Sequence, residues 1–428
     1  MACEPRSAGW QTVGREVSGG RRVRRERCAW WCTGERTGKG AALRILHTSD
    51  WHLGRSLHRV SLLDAQAAFL DHLVATVRER DVEAVVVAGD VYDRAVPSLP
   101  AVELYDQALH RLAALGVPTV LIPGNHDSAR RLGVGAGLLG SAGVHLRTRP
   151  AECGEPVVLR DAHGEVAFYG LPYLEPGLVK DEFAAPADHE GVLGAALDRV
   201  RADLATRPEG TRSVVLAHAF VTGGAPSDSE RDITVGGVSA VPAALFDGID
   251  YVALGHLHGS QALGERLRYS GSPLAYSFSE ADHRKSMWLI DLDGAGALTA
   301  ERVDCPVPRP LARLRGTLGE LLADPAHTPH EDAWVEATLT DSVRPDEPMA
   351  RLAVRFPHLL SLVFAPERPP EPDGRSYARR LQGRGDHEIT EDFVAHVRGE
   401  APSEAERAVL RAAVDAVRLE TQATEARR

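Results

Sequence analysis

Five times along this chain a short apolar run ends in a turn and gives way at once to Asp, Asn or His. Asp50-Trp51-His52 follows the run at 43–48, and Gly89-Asp90-Val91-Tyr92-Asp93 follows 84–88. Gly124-Asn125-His126-Asp127 follows 117–122, His218 follows 214–217, and Gly255-His256-Leu257-His258 follows 251–254. Apolar runs this short, bounded by Gly, Asp or Pro, predict buried strands. Two polar residues one apart on extended chain point the same way, so Asp50 with His52, and His256 with His258, can each reach one cation. Gly lets the chain turn sharply where a strand stops. Polar groups at several strand ends converge on one rim of a sheet, where α/β folds gather their ligands.

The stretches between strands favour the same architecture. Leu62, Leu63, Phe69, Leu70, Leu73 and Val77 recur at three to four residues, and 99–115 repeats the pattern, so both predict amphipathic helices. Strand–helix–strand order implies right-handed crossovers and a parallel region. Later strands, at 156–160, 165–170, 213–217, 251–255, 267–270 and 286–292, come without obvious long helices, and antiparallel extension is expected there. The predicted fold is α/β, a layered β-sandwich flanked by helices over 43–304. A Pro-rich connection at 305–310 opens a small β-α-β accessory domain (305–366), with strands at 334–339 and 359–364 and a helix at 347–355. A linker (367–387), two C-terminal helices (388–420) and a tail (421–428) follow. Residues 1–42, rich in Arg and Gly and without periodicity, are expected to be a disordered basic tail or sequence upstream of a start near Leu43.

Composition narrows the chemistry. Apolar residues make up 43% and charged residues 25% of the 428, which excludes a wholly disordered chain, collagen and a disulfide scaffold. Lys and Arg number 49 against 60 Asp and Glu, a formal net charge of −11. A chain that held nucleic acid by phosphate neutralisation alone would be basic, so a DNA substrate would need a metal site, a local patch or a partner to supply positive charge. The cysteines, Cys3, Cys28, Cys32, Cys153 and Cys305, are scattered, and only Cys28 and Cys32 form a close pair. Without a second pair to complete a zinc site, reduced thiols in the cytoplasm are expected. No apolar run reaches the ~18 residues that span a bilayer, and no secretory segment opens the chain, so no membrane partner is expected.

Mixed Asp, His and Asn ligation suits first-row divalent ions such as Mn²⁺ better than Ca²⁺ or an all-sulfur site. Asp50, His52, Asp90, Asn125, His218, His256 and His258 are too many ligands for one ion that keeps an open position. They suit two ions about 3.5–4 Å apart, the arrangement that hydrolyses phosphate esters by direct in-line attack.

In this order the five blocks resemble the calcineurin-like metallophosphoesterase superfamily. Within it, the strings RILHTSDWHLGR (44–55), GDVYDRAVP (89–97) and YSGSPLAYSF (269–278) are similar to the SbcD family, the nuclease subunits of bacterial SbcCD complexes, and the similarity runs from near residue 43 to near residue 420. The resemblance implies one metal on Asp50, His52, Asp90 and His258. It implies a second on Asp90, Asn125, His218 and His256, with Asp90 bridging. It makes His126 the catalytic histidine that protonates the leaving 3′-oxygen or stabilises the transition state. Asp93 then either orients His126 or is a plain turn carboxylate. Arg94 either touches phosphate or makes a surface ion pair, and Arg231, in the polar loop 227–234, is a weaker candidate for DNA contact. The implied activities are ATP-dependent double-strand 3′–5′ exonuclease, single-strand endonuclease, and cleavage of hairpins and blocked ends, in DNA repair, recombination and replication. The implied partner is an SbcC-like coiled-coil ATPase, on which the C-terminal helices dock while the accessory domain caps DNA, with a homodimer of this subunit inside a heterotetramer. The competing expectation is a stand-alone metallophosphodiesterase acting on a small molecule or nucleotide, which the same ligands would serve. The added C-terminal segments speak against it.

Overall fold

The structure, a computed structural model, describes residues 42–230, 240–367 and 383–425. Arg231, residues 1–41 with Cys3, Cys28 and Cys32, and most of the 367–387 connection lie outside the described residues.

Five strands lead to the candidate residues: β1 (Ala42–Thr48), β2 (Ala84–Ala88), β3 (Thr119–Ile122), β4 (Arg212–His218) and β5 (Tyr251–Gly255). In one six-stranded sheet β1, β2 and β3 lie side by side in parallel and continue in parallel to Val144–Leu146, while Ser286–Asp293 and Leu298–Asp304 extend the other edge antiparallel. In the second six-stranded sheet β4 and β5 are parallel neighbours, flanked in parallel by Gly164–Leu171 and Leu267–Tyr269. Only its outer strands, Val157–Asp161 and Gln261–Leu263, run antiparallel. The expected antiparallel extension is therefore corrected for the centre of this sheet. A helix at His189–Leu204, not expected from the apolar spacing, supplies the crossover into β4 that a parallel pair requires.

The period of two along each strand sorts the core into three layers. Ile45, Val86, Val120 and Ile122 meet Phe168, Val214, Leu216, Tyr251 and Ala253 between the sheets. On the outer face of the first sheet Leu46, Val85, Val87 and Leu121 pack against Phe69, Leu70 and Leu73 of helix Leu63–Glu79 and Leu109 and Leu112 of helix Leu99–Leu115. On the outer face of the second, Val215, Ala217, Val252 and Leu254 pack against Val192, Leu193, Ala196 and Leu197. The result is helix, sheet, sheet, helix. Strands buried on both faces read as unbroken apolar runs, and each such Val, Leu or Ile contributes about 1.5–3 kcal/mol. A one-residue slip would swap the inner and outer sets, which fixes the register that aims the strand ends.

The C-terminal piece has one strand more than the β-α-β expectation. Leu311–Gly316, Trp334–Leu339 and Leu359–Phe364 form a parallel three-stranded sheet with helices Leu318–Ala323 and Pro348–Arg355. Leu314, Leu321, Val335, Leu352 and Phe356 form its core. Leu311, Trp334 and Leu360 also pack against Leu57, Leu62, Leu274 and Tyr276 of the larger unit. Helices Asp386–Arg398 and Glu404–Glu425 pair through Arg411–Glu391, Arg418–Asp386 and His387–Asp415. Among the described residues no helix is long and apolar enough to cross a membrane.

Candidate metal centre

Parallel pairing puts the C-terminal ends of β1, β2 and β3 on one rim and those of β4 and β5 on another, and the packed sheets bring the rims together. Gly255 makes that approach possible: a Cβ there would lie 1.9 Å from the carbonyl oxygen of Ala88, at the end of β2. The backbone bends sharply at the ligand positions. Asp50, His52, Asp90 and His256 have φ of 53°, 43°, 49° and 104°. Positive φ in residues other than Gly costs of order 1–3 kcal/mol each and gathers where geometry serves function. Main-chain bonds hold these bends: Asp50 N–H donates to Gly89 O at 3.0 Å and His52 N–H to Asp90 O at 2.9 Å.

All seven sequence-derived ligand candidates meet here. One ligand atom from each of Asp50, His52 and His258 lies within 4.8 Å of the others, and so does one from each of Asp50, Asp90 and His218. A single oxygen, Oδ2 of Asp90, stands 3.6 Å from Nε2 of His52 and 3.4 Å from Nε2 of His218, facing both halves. Nε2 of His52 and Nε2 of His258 are 3.0 Å apart. Oδ1 of Asn125 lies 2.9 Å from Nε2 of His218 and 3.3 Å from Nδ1 of His256. All but the half-buried Asn125 are buried.

The donor inventory tests whether cations fit. Nδ1 of His218 donates to Ala88 O at 2.9 Å, so Nε2 faces two acceptors, Asp90 Oδ2 and Asn125 Oδ1. A proton or a cation between them satisfies all three atoms. The field has that sign. Burial resists protonation of His218, yet the Asp90 carboxylate and then Asp50 raise it to about 9. Burial raises Asp90 too, but His218, His52 and His126 outweigh it and hold Asp90 well below the usual carboxylate range. Asp50 is pushed up to about 6, chiefly by burial. His52 and His256 are lowered by burial, His256 to about 3, which keeps both rings neutral with one nitrogen of each free to act as a ligand. Nδ1 of His52 is buried with no hydrogen-bond partner. Two carboxylates, an amide oxygen and four imidazoles converging at these distances fit divalent cations, whose charge would take the place of the proton on His218.

His126 stands beside this cluster, half-buried, its ring edge-on to His52 at 4.7 Å between centroids. Its N–H donates to Asp90 Oδ1 at 2.9 Å. Its Nδ1 donates to the main-chain carbonyl of Asp93 at 2.8 Å, whereas the Asp93 carboxylate lies 3.7 Å from Arg55 and 3.9 Å from His52. Arg94 is exposed, 3.4 Å from Asp93 Oδ2. Arg231 lies outside the described residues.

Several residues that shape the site were given no role by sequence. Asp127 accepts from the N–H groups of Val91, Tyr92 and Gly124 at 3.0, 2.9 and 2.9 Å and so clasps two ligand loops together. Burial and Asp90 push it up to about 7 against those three donors. The Tyr276 hydroxyl donates to the carbonyl of Trp51, and its ring lies edge-on to His52 and His258. Ser229 and Glu280 sit behind His258. Asp127 lies in the segment 124–127 and Tyr276 in YSGSPLAYSF (269–278), and the polar run Asn125-His126-Asp127 was the signal available for the first.

A family model described as calcineurin-like phosphoesterase matches residues 43–260, half of the chain. The chain belongs to the calcineurin-like phosphoesterase family. A second model, that of the SbcD C-terminal region, described as type 5 capsule protein repressor C-terminal domain, matches residues 307–398. The succession of the two makes the chain SbcD-like, and membership of the first makes it a metal-dependent hydrolase. Solved structures similar to this phosphoesterase include TT1561 of Thermus thermophilus, at 15% identity and TM-score 0.35, covering 61% of this chain and 99% of that one. A dimetal phosphatase from Danio rerio matches at 14% identity and TM-score 0.36, with 61% and 99% covered. GAP50, the anchor in the inner membrane complex of Plasmodium, matches at 12% and 0.41, with 62% and 85% covered. Likeness this distant identifies no substrate.

Proposed function

We propose that this phosphoesterase is the nuclease subunit of an SbcCD-like complex and cleaves DNA phosphodiesters with two divalent cations, Mn²⁺ by preference. The observation that carries the reading is Asp90 Oδ2, which faces His52 on one side and His218 on the other, in a chain that continues into an SbcD-type C-terminal region. Asp50, His52, Asp90 and His258 would hold one cation, and Asp90, Asn125, His218 and His256 the other. Bound there, such a pair supplies Lewis acidity to the phosphate and lowers the pKa of the attacking water.

The chain's own groups do the rest. With Nδ1–H of His126 committed to the Asp93 carbonyl, the ring would act as an imidazolium that passes its Nε2 proton to the leaving 3′-oxygen and is left neutral. Its backbone N–H holds Asp90 Oδ1, which ties the acid to the ligand frame. Arg94, 82% exposed and 3.4 Å from Asp93 Oδ2, would be free to exchange that surface pair for a DNA phosphate. Phe393, Val397, Val409 and Val417 are exposed on the two C-terminal helices, as docking on a coiled-coil ATPase would require. Such a partner would add the positive charge that a chain of net −11 lacks.

The test is cleavage of hairpin and blunt duplex DNA in Mn²⁺ or Mg²⁺, with and without the partner ATPase and ATP. Metal-dependent cleavage stimulated by partner and ATP is expected. Turnover of a small diester with no action on DNA under any of these conditions would replace the reading with a stand-alone phosphodiesterase.

A further inference from the structure

Behind His258 lies a buried polar chain that the ligand frame does not explain. Nδ1 of His258 is 2.6 Å from Oγ of Ser229 and 3.2 Å from Oε1 of Glu280, and the Ser229 hydroxyl is 2.5 Å from that same oxygen. The other Glu280 oxygen takes the Lys285 ammonium and, at 3.3 Å, the Ser272 hydroxyl. Lys285 also donates to the His258 carbonyl at 3.1 Å. Glu230 accepts the His258 N–H at 2.7 Å, so the loop that carries Ser229 grips this residue twice. His258, Glu280, Lys285 and Ser229 are all buried.

Both neighbours of Nδ1, the Ser229 hydroxyl oxygen and the Glu280 carboxylate, favour a proton on that nitrogen. An ionised carboxylate only accepts, so the single hydroxyl proton of Ser229 goes to Glu280. The hydroxyl oxygen must then accept from Nδ1–H of His258. That leaves Nε2 unprotonated and turned toward His52 and Asp50. Lys285 keeps the buried carboxylate charged, and the strand Leu311–Gly316 of the C-terminal sheet lies against the Phe278–Glu280 turn that carries it.

We infer that Ser229, oriented by Glu280, is a positioning residue that locks His258 in the Nδ1–H tautomer with Nε2 aimed into the metal site. The inference rests on the two-metal reading above. Residues that hydrogen-bond a metal ligand change metal affinity by about 10–100-fold without touching the ion.

The experiment uses the full chain and Mn²⁺ alone. Calorimetric titration of the unmodified chain should give two equivalents. Ser229→Ala should weaken one of them by about 10–100-fold, with metal-free thermal melting unchanged, and Ser229→Thr, which restores the hydroxyl, should recover it. Wild-type affinity for both equivalents in Ser229→Ala, or equal weakening in Ser229→Thr, would overturn the inference and leave the two-metal reading standing. No Mn²⁺ binding by the unmodified chain would overturn both. An independent readout needs no Ser229 variant: ¹⁵N shifts of the histidine-labelled, metal-free chain, with the signal assigned by His258→Gln. A protonated Nδ1 and bare Nε2 are expected at His258, and the reverse tautomer contradicts the inference.

Discussion

The main-chain carbonyl of Asp93, not its carboxylate, accepts the hydrogen bond from Nδ1 of His126, at 2.8 Å. Ring orientation therefore survives loss of the Asp93 side chain. His126→Ala should lower DNA cleavage by about 10²–10⁴-fold, the usual worth of a positioned general acid, while Mn²⁺ binding persists. Asp93→Asn should cost far less. Steady-state rates for the two variants decide it: equal losses would mean that the carboxylate is part of the acid.

Gly255 sits where the second sheet touches the first. Its added methyl would meet the Ala88 carbonyl, a backbone atom that cannot swing aside. Gly255→Ala should destabilise the chain by about 1–3 kcal/mol or more, as overpacking does. A lowered Tm with metal affinity reduced in parallel is expected in thermal melts and Mn²⁺ titration. An unchanged Tm would show that the sheets are not clamped there.

His47, on β1, is fully buried against the Tyr251 hydroxyl at 2.8 Å, and burial lowers its pKa from 6.5 to about 3. A depressed folded-state pKa gives stability that is complete above the unfolded value and is lost as pH falls through the folded one. Between pH 6.5 and 3 this histidine should therefore cost the fold up to about 1.4 kcal/mol per pH unit. Urea denaturation of wild type and His47→Gln in chelator, across that range, should show the advantage of wild type shrinking as pH falls. A difference constant with pH would contradict the buried neutral ring.

The helices Asp386–Arg398 and Glu404–Glu425 are tied to each other by ion pairs that hold no part of the site. Truncation after Arg384 should leave Mn²⁺-dependent hydrolysis of a small diester intact and abolish stable association with the coiled-coil ATPase. Gel filtration of the mixed proteins checks this. Normal co-elution would move the docking role elsewhere.

Local pattern was enough wherever one element decided its own fate. Leu63–Glu79 and Leu99–Leu115 announce themselves by apolar spacing, and β2 by an unbroken run of Val. The helix His189–Leu204 escaped because Gly191 and Gly194 dilute its stripe of Val192, Leu193, Ala196, Leu197 and Val200. Without that helix, parallel pairing of β4 with Gly164–Leu171 could not be foreseen. At the site, ligand types at strand ends were legible because parallel strands share a rim. The supports were not. Glu280 reaches Ser229 across 51 residues and Tyr276 reaches Trp51 across 225, and such pairings exist only once the sheets have packed.

The most direct test is anomalous diffraction at the manganese edge from crystals grown in Mn²⁺. Two peaks are expected beside Asp90, one against His52 and His258 and the other against His218 and His256. A single peak, or none among these side chains, would contradict a two-cation phosphoesterase.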